Sequence, residues 1–171
     1  THRCSAGNEG VITSGAVQRM SAGAGVEHSE WNRGEVPVRF IQMWLQPDEF
    51  GGKPGYASAD IGPGVRHAVL ASGMDRYPEA AVRLRRKDAA LHLLRSGPTN
   101  RPLRDLPDAP FLYLHVVRGE LHLMDGRGGG PHVLAEGDSA RVRDAEWLWP
   151  AVGADGVELL AWEAHSSLSY G

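Results

Sequence analysis

Residues 15–30 read Gly15-Ala-Val-Gln-Arg-Met20-Ser-Ala-Gly23-Ala-Gly25-Val-Glu-His28-Ser29-Glu30. Gly15, Gly23 and Gly25 mark sharp bends around a short run, Ala16 to Met20, that reads as a strand. Successive side chains of an extended chain point to opposite faces, so His28 and Glu30 share one face. An imidazole nitrogen beside a carboxylate oxygen is half of a donor set for iron, manganese or a similar divalent ion. Spacing alone leaves two readings open: a metal pair, or a surface His and a solvated Glu beside a glycine-rich turn.

Outward from this stretch the chain keeps reading as strands and turns. Pro37 to Leu45 (Pro-Val-Arg-Phe-Ile-Gln-Met-Trp-Leu) is rich in β-branched and aromatic residues and stops at Pro47. It is apolar on both faces after Arg39, which predicts an inner strand burying Val38, Phe40, Ile41, Met43 and Leu45. Arg66 to Ala71, Ala81 to Leu84 and Leu91 to Arg95 are further strand candidates. Phe111 to Val117 and Leu121 to Met124 read as a hairpin turning at Arg118-Gly119-Glu120, followed by a loop over 125–130. Glu136-Gly137-Asp138 is another turn, and Trp147 to Pro150 and Val157 to Trp162 are the last strands. Turn signals recur about every 8–12 residues, as in an all-β sandwich or barrel. Gln46 to Gly64 reads as a long connection between two halves.

Composition narrows the function. The chain has 171 residues, a formal net charge of −3 and a single cysteine, Cys4. One cysteine excludes an internal disulfide framework and a cysteine-based zinc site. The mild acidity gives no bulk signal for nucleic acid. No apolar run reaches the roughly 18 residues of a membrane span, and no signal peptide is read, so a reducing cytoplasm is expected. The 22 glycines and 11 prolines suit many short strands joined by tight turns.

Ser5-Ala-Gly-Asn8, the Gly15 to Gly25 string, His28-Ser-Glu30 and Phe40-Ile-Gln-Met-Trp44 together resemble the pirin family of two-barrel cupins. The likeness is dense over 5–47 and thinner afterwards. There it rests on the Phe111 to Met124 segment, Gly137-Asp138 and Glu158-Leu-Leu-Ala-Trp-Glu163. It implies an all-β bicupin with the first barrel short of its N-terminal strands. Residues 1–46 would be the later part of the N-terminal barrel, 47–64 a linker, and 65–171 a metal-free C-terminal barrel.

The resemblance also implies one divalent metal, iron, in the first barrel. Its ligands in the family are a His-x-His pair and the two residues matching His28 and Glu30. None of the eight histidines forms a His-x-His. The expectation is therefore that the given chain begins after that pair and holds metal weakly or not at all. His2 could stand in as a ligand but reads as a strand-end residue outside the family's ligand set, and Cys4 reads as a spare thiol at a turn in preference to a ligand or redox group. Some pirin-like proteins are quercetin 2,3-dioxygenases, which open a flavonol ring with O2. On that pattern Glu30 is the catalytic base, and Met20, Phe40, Gln42 and Trp44 are pocket candidates. The alternative is a non-enzymatic, iron-dependent module that modulates a transcription factor or metabolic enzyme, or a metal-free remnant. Self-association through exposed barrel edges is expected; direct binding to nucleic acid or membrane is not.

Overall fold

The computed structural model describes residues 1–98, 103, 106–143 and 148–166. Twelve strands run through these residues and no helix does: β1 (His2–Cys4), β2 (Glu9–Gly10), β3 (Ala16–Ser21), β4 (His28–Glu30), β5 (Gly55–Asp60), β6 (His67–Ser72), β7 (Val82–Arg83), β8 (Ala89–Ser96), β9 (Phe111–Asp125), β10 (His132–Ala135), β11 (Ser139–Arg143) and β12 (Leu148–Ala164). They form a three-stranded sheet β2-β1-β4, a ribbon β3-β5, and a seven-stranded sheet ordered β10-β9-β12-β8-β6-β7, with β11 also on β9. Every pairing is antiparallel except β6 with β7.

Period-two alternation on β12 sorts the large sheet into two apolar faces. Leu159 and Ala161 join Leu94, Leu114, Val116 and Leu121 in one cluster. All six are at most 1 % exposed. Leu160 and Trp162 point the other way, where Leu70, Val82, Leu91 and Leu93 meet Val17, Ala57, Ala59 and Ile61 of the ribbon and its margin. The ribbon thus lies against the outer face of the large sheet, its own other face turned to the β1–β4 ladder.

Three sequence expectations change here. The 111–124 segment is not a hairpin. It is one strand of 15 residues that keeps β12 as its partner on both sides of Gly119. Gly119 has φ +77°, and a Cβ there would strike the carbonyl oxygen of Gly156, so the glycine bends the strand instead of reversing it. Gly55–Asp60, read as connection, is a strand paired residue for residue with Ala16–Ser21. Its alternation of small residues with Tyr56 gives a weak hydrophobic signal, and the pairing partner supplies the order.

The third change concerns 37–45, which forms no strand. Val38 is 63 % exposed, Phe40 68 %, Ile41 44 % and Trp44 89 %. Met43 and Leu45 are half-buried, and Met43 accepts a hydrogen bond from Trp162 Nε1 at 2.9 Å. A run apolar on both faces is buried only where strands flank it and layers cover it. Among the described residues no strand pairs with it. Trp147, expected at the start of a strand, lies outside the described residues.

Candidate metal centre

The β1–β4 ladder decides the site. His2 lies opposite Glu30, Arg3 opposite Ser29, and Cys4 opposite His28. Residues opposite one another in a ladder project to the same side. His2, Cys4, His28 and Glu30 therefore form a patch on one face, and Arg3, exposed, takes the other. His2 is 1 % exposed and Cys4 7 %.

The ribbon covers the His2 part of this face and leaves His28 and Glu30 exposed. Gln18 and Tyr56 lie on the ribbon face opposite Val17 and Ala57. Gln18 Nε2 donates to Glu30 Oε1 at 2.6 Å, and Tyr56 OH donates to Gln18 Oε1 at 3.0 Å. The Tyr56 ring stacks on His2 with centroids 4.8 Å apart, and His2 stacks on His28 at 5.8 Å. Glu30 Oε1 also faces His2 Nδ1 at 3.2 Å.

Burial alone would raise the Glu30 carboxyl. Hydrogen bonds from Gln18 and His2, with the nearby charge of His2 and His28, outweigh it and hold the group below the usual carboxylate value. Glu30 is thus ionised at neutral pH and only accepts hydrogen bonds, so Nδ1 of His2 carries the proton. Nε2 of His2 is buried and has no hydrogen-bond partner among the described residues. The Cys4 thiol is lowered to about 7, mainly by the hydrogen bond from Asn8, against burial, with smaller help from the backbone and His2.

Of the residues singled out in the sequence, His28 and Glu30 do share this patch, and Met20 lies on the same ribbon face, opposite Tyr56. Phe40, Gln42 and Trp44 do not line a pocket there. They stand exposed, because the run that carries them is not a strand of this sheet. The sequence reading set His2 and Cys4 aside, as a strand-end residue and a spare thiol, and passed over Gln18 and Tyr56. The two-residue spacing of His2 and Cys4 was the available signal, since it matches that of His28 and Glu30.

In kind, the donors suit a divalent transition metal: imidazole, carboxylate, thiolate and an unpartnered buried imidazole nitrogen. As the side chains stand, no three His, Cys, Asp or Glu among the described residues are gathered to hold an ion. The fit is therefore in donor chemistry and backbone register, with the side chains turned to one another.

A second polar cluster sits inside the large sheet. Glu163, fully buried, receives hydrogen bonds from Arg76, from Tyr77 OH at 2.9 Å and from His92 Nε2 at 2.8 Å, with His165 Nε2 at 3.1 Å. His92 Nδ1 faces His67 Nε2 at 3.4 Å. Burial would raise the Glu163 carboxyl, but these partners hold it at about 2. His115 and His122 pair locally, with Ser139 and Glu120.

Strand order and site together define an all-β protein of the cupin type. Residues 1–45 match the Pirin family. A Mycobacterium tuberculosis H37Rv protein named "Putative quercetin 2,3-dioxygenase" is 41 % identical over 172 residues, covering 98 % of this chain and 66 % of the relative. A Zymomonas mobilis protein of the same name is 37 % identical over 156 residues, 86 % of this chain and 61 % of the relative. The fold matches Escherichia coli YhhW with a TM-score of 0.77 at 20 % identity, over 97 % of this chain and 68 % of that one. It also matches the nickel(II) complex of YhhW, described as a bacterial pirin, with a TM-score of 0.74 at 19 % identity, over 96 % and 68 % of the two chains. The chain belongs to the pirin family. It spans about two thirds of the length of the mycobacterial relative. No described helix is long and apolar enough to cross a membrane.

Proposed function

We propose that this chain serves a pirin-type, metal-dependent oxygenase that opens a flavonol-like ring with O2, with His28 and Glu30 facing the metal and Glu30 as base. The observation that carries this reading is the Glu30 carboxylate. It is ionised, it is held through Oε1 by Gln18 and His2, and among the described residues no hydrogen bond falls on Oε2. The names of the 41 % identical relatives supply the substrate class.

A bound divalent iron would supply a Lewis acid for the substrate oxygens and a route for ring electrons to O2. The chain's own residues do the rest. Gln18, fixed by Tyr56, aims the carboxylate. Glu30 takes the proton of the flavonol hydroxyl at its free oxygen. Met20 offers an apolar surface beside Tyr56. His28 and Glu30 would supply two of the metal's donors. A reducing cytoplasm would keep the metal divalent and the Cys4 thiol free.

The test is loss of flavonol absorbance when the chain is mixed with iron(II), quercetin and air. Turnover is expected, with Glu30→Gln slowing it by about 10²–10⁴, the usual worth of a positioned base. Turnover equal in Glu30→Gln, or none at any iron concentration, overturns the reading. The exposed Val38, Phe40 and Trp44 favour a second one, a module docking a protein partner. In that case the iron-loaded chain turns over no flavonol, and Phe40→Ser weakens partner binding.

A further inference from the structure

A buried polar atom without a partner is rare and costly, because its bonds to water are lost and nothing replaces them. Nε2 of His2 is one of two such side-chain atoms among the described residues; the other is Nε of Arg19. Arg19 carries its charge on a guanidinium whose other nitrogen reaches Ser21. His2 is different. Its Nδ1 faces the Glu30 carboxylate, so Nε2 is the ring nitrogen left for a further partner. An imidazole that gives one N–H to a carboxylate and offers the opposite nitrogen is the arrangement that orients histidine toward a metal ion.

The same face holds a thiol. Cys4 is two residues from His2 and directly opposite His28 in the ladder. Opposite Cα atoms lie about 5 Å apart and residues two apart on a strand about 7 Å, so the four side chains spring from one small rectangle. His2 and Cys4 are buried, and the His2 ring already stacks on His28.

We propose that His2, through Nε2, and Cys4, through Sγ, join His28 as donors to a single borderline divalent cation on the Glu30 face, giving this chain a thiolate-containing site of its own. The site calls for a cation that accepts both sulfur and imidazole, such as zinc, cobalt or nickel. Backbone register sets the donors together, and rotation of the Cys4 and His28 side chains brings them to the ion. Glu30 keeps the tautomer of His2. This inference rests on the reading that the face binds a cation, and it changes which residues hold it: His2, Cys4 and His28 in place of His28 and Glu30.

Cysteine occurs once in the chain, which makes the test specific. The reduced, chelator-treated full chain is titrated with cobalt(II) and followed by absorbance, with zinc as competitor. One cobalt per chain is expected, with a sulfur-to-cobalt charge-transfer band that zinc abolishes. Cys4→Ser should erase the band and weaken binding at least tenfold. His2→Gln should weaken binding comparably while leaving some of the band. Circular dichroism and thermal melting of Cys4→Ser, a mild change, keep the result apart from a folding defect. Cobalt binding that needs His28 and Glu30 but shows no thiolate band, and is the same in Cys4→Ser, overturns this proposal and leaves the pirin-type pair standing. Absence of any binding dependent on His28 overturns both.

Discussion

Glu163 shows what one residue can demand of its surroundings. A carboxylate without solvent is tolerated only if its charge is met, and Arg76, Tyr77, His92 and His165 meet it. Its carboxyl is held at about 2, below the ordinary value of 4.5 that it regains on unfolding. The unfolded chain therefore binds the proton more readily. Stability from this group is complete above about pH 4.5 and drains away as pH falls toward about 2. The shift corresponds to about 3 kcal/mol. Urea titrations should show the midpoint falling through that window in the parent chain. In Glu163→Gln the dependence should flatten, from a lower starting stability at pH 7. An unchanged slope would mean that Glu163 is not the group responsible. The sequence offered Glu163 only as part of an apolar ending, because its partners come from residues more than 70 positions away as well as from His165.

Among elements, β1 with β4 and β9 with β12 carry the informative contrasts. His28 and Glu30 were legible as a pair because a strand's period is built into its backbone. Their partners across the ladder were not, because register is set by which strands meet. The long β9 was misread at Gly119, whose turn-like neighbours fit a hairpin equally well. Its φ of +77° and its packing against Gly156 predict that Gly119→Ala destabilises by about 1–3 kcal/mol, read by chemical denaturation. A hairpin turn at 118–120 open to solvent would tolerate that change far better. Residues 37–45 make the complementary point. Phe40→Ala should move stability by no more than about 0.5 kcal/mol, as at other exposed positions, where an inner strand would lose several.

For the whole molecule, the two apolar faces of the large sheet hold the fold. Leu159, fully buried in one of them, should cost about 2–5 kcal/mol when cut to alanine, measured by the urea midpoint. The exposed Val36, Val38, Phe40, Trp44 and Phe50 gather within 15 residues of sequence and put apolar area on the surface. Self-association is the expected result. Sedimentation should show mass rising with concentration, and Phe40→Ser with Trp44→Ser should suppress it. A monomer at all concentrations, unaffected by these changes, would show that the strip is simply solvated.

The sequence by itself determined the fold class, the family and the face shared by His28 and Glu30. These follow from local rules: turn residues at short intervals, side chains alternating along an extended backbone, and a motif carried in a few contiguous stretches. Tertiary structure alone decided that His2 and Cys4 stand opposite that pair, that Gln18 and Tyr56 hold Glu30, that 55–60 is a strand and that 37–45 is not. Each of these depends on which segment pairs with which and at what register. Strand pairing is made by hydrogen bonds and packing between residues far apart in the chain, and a one-residue slip would turn every one of those side chains to the other face.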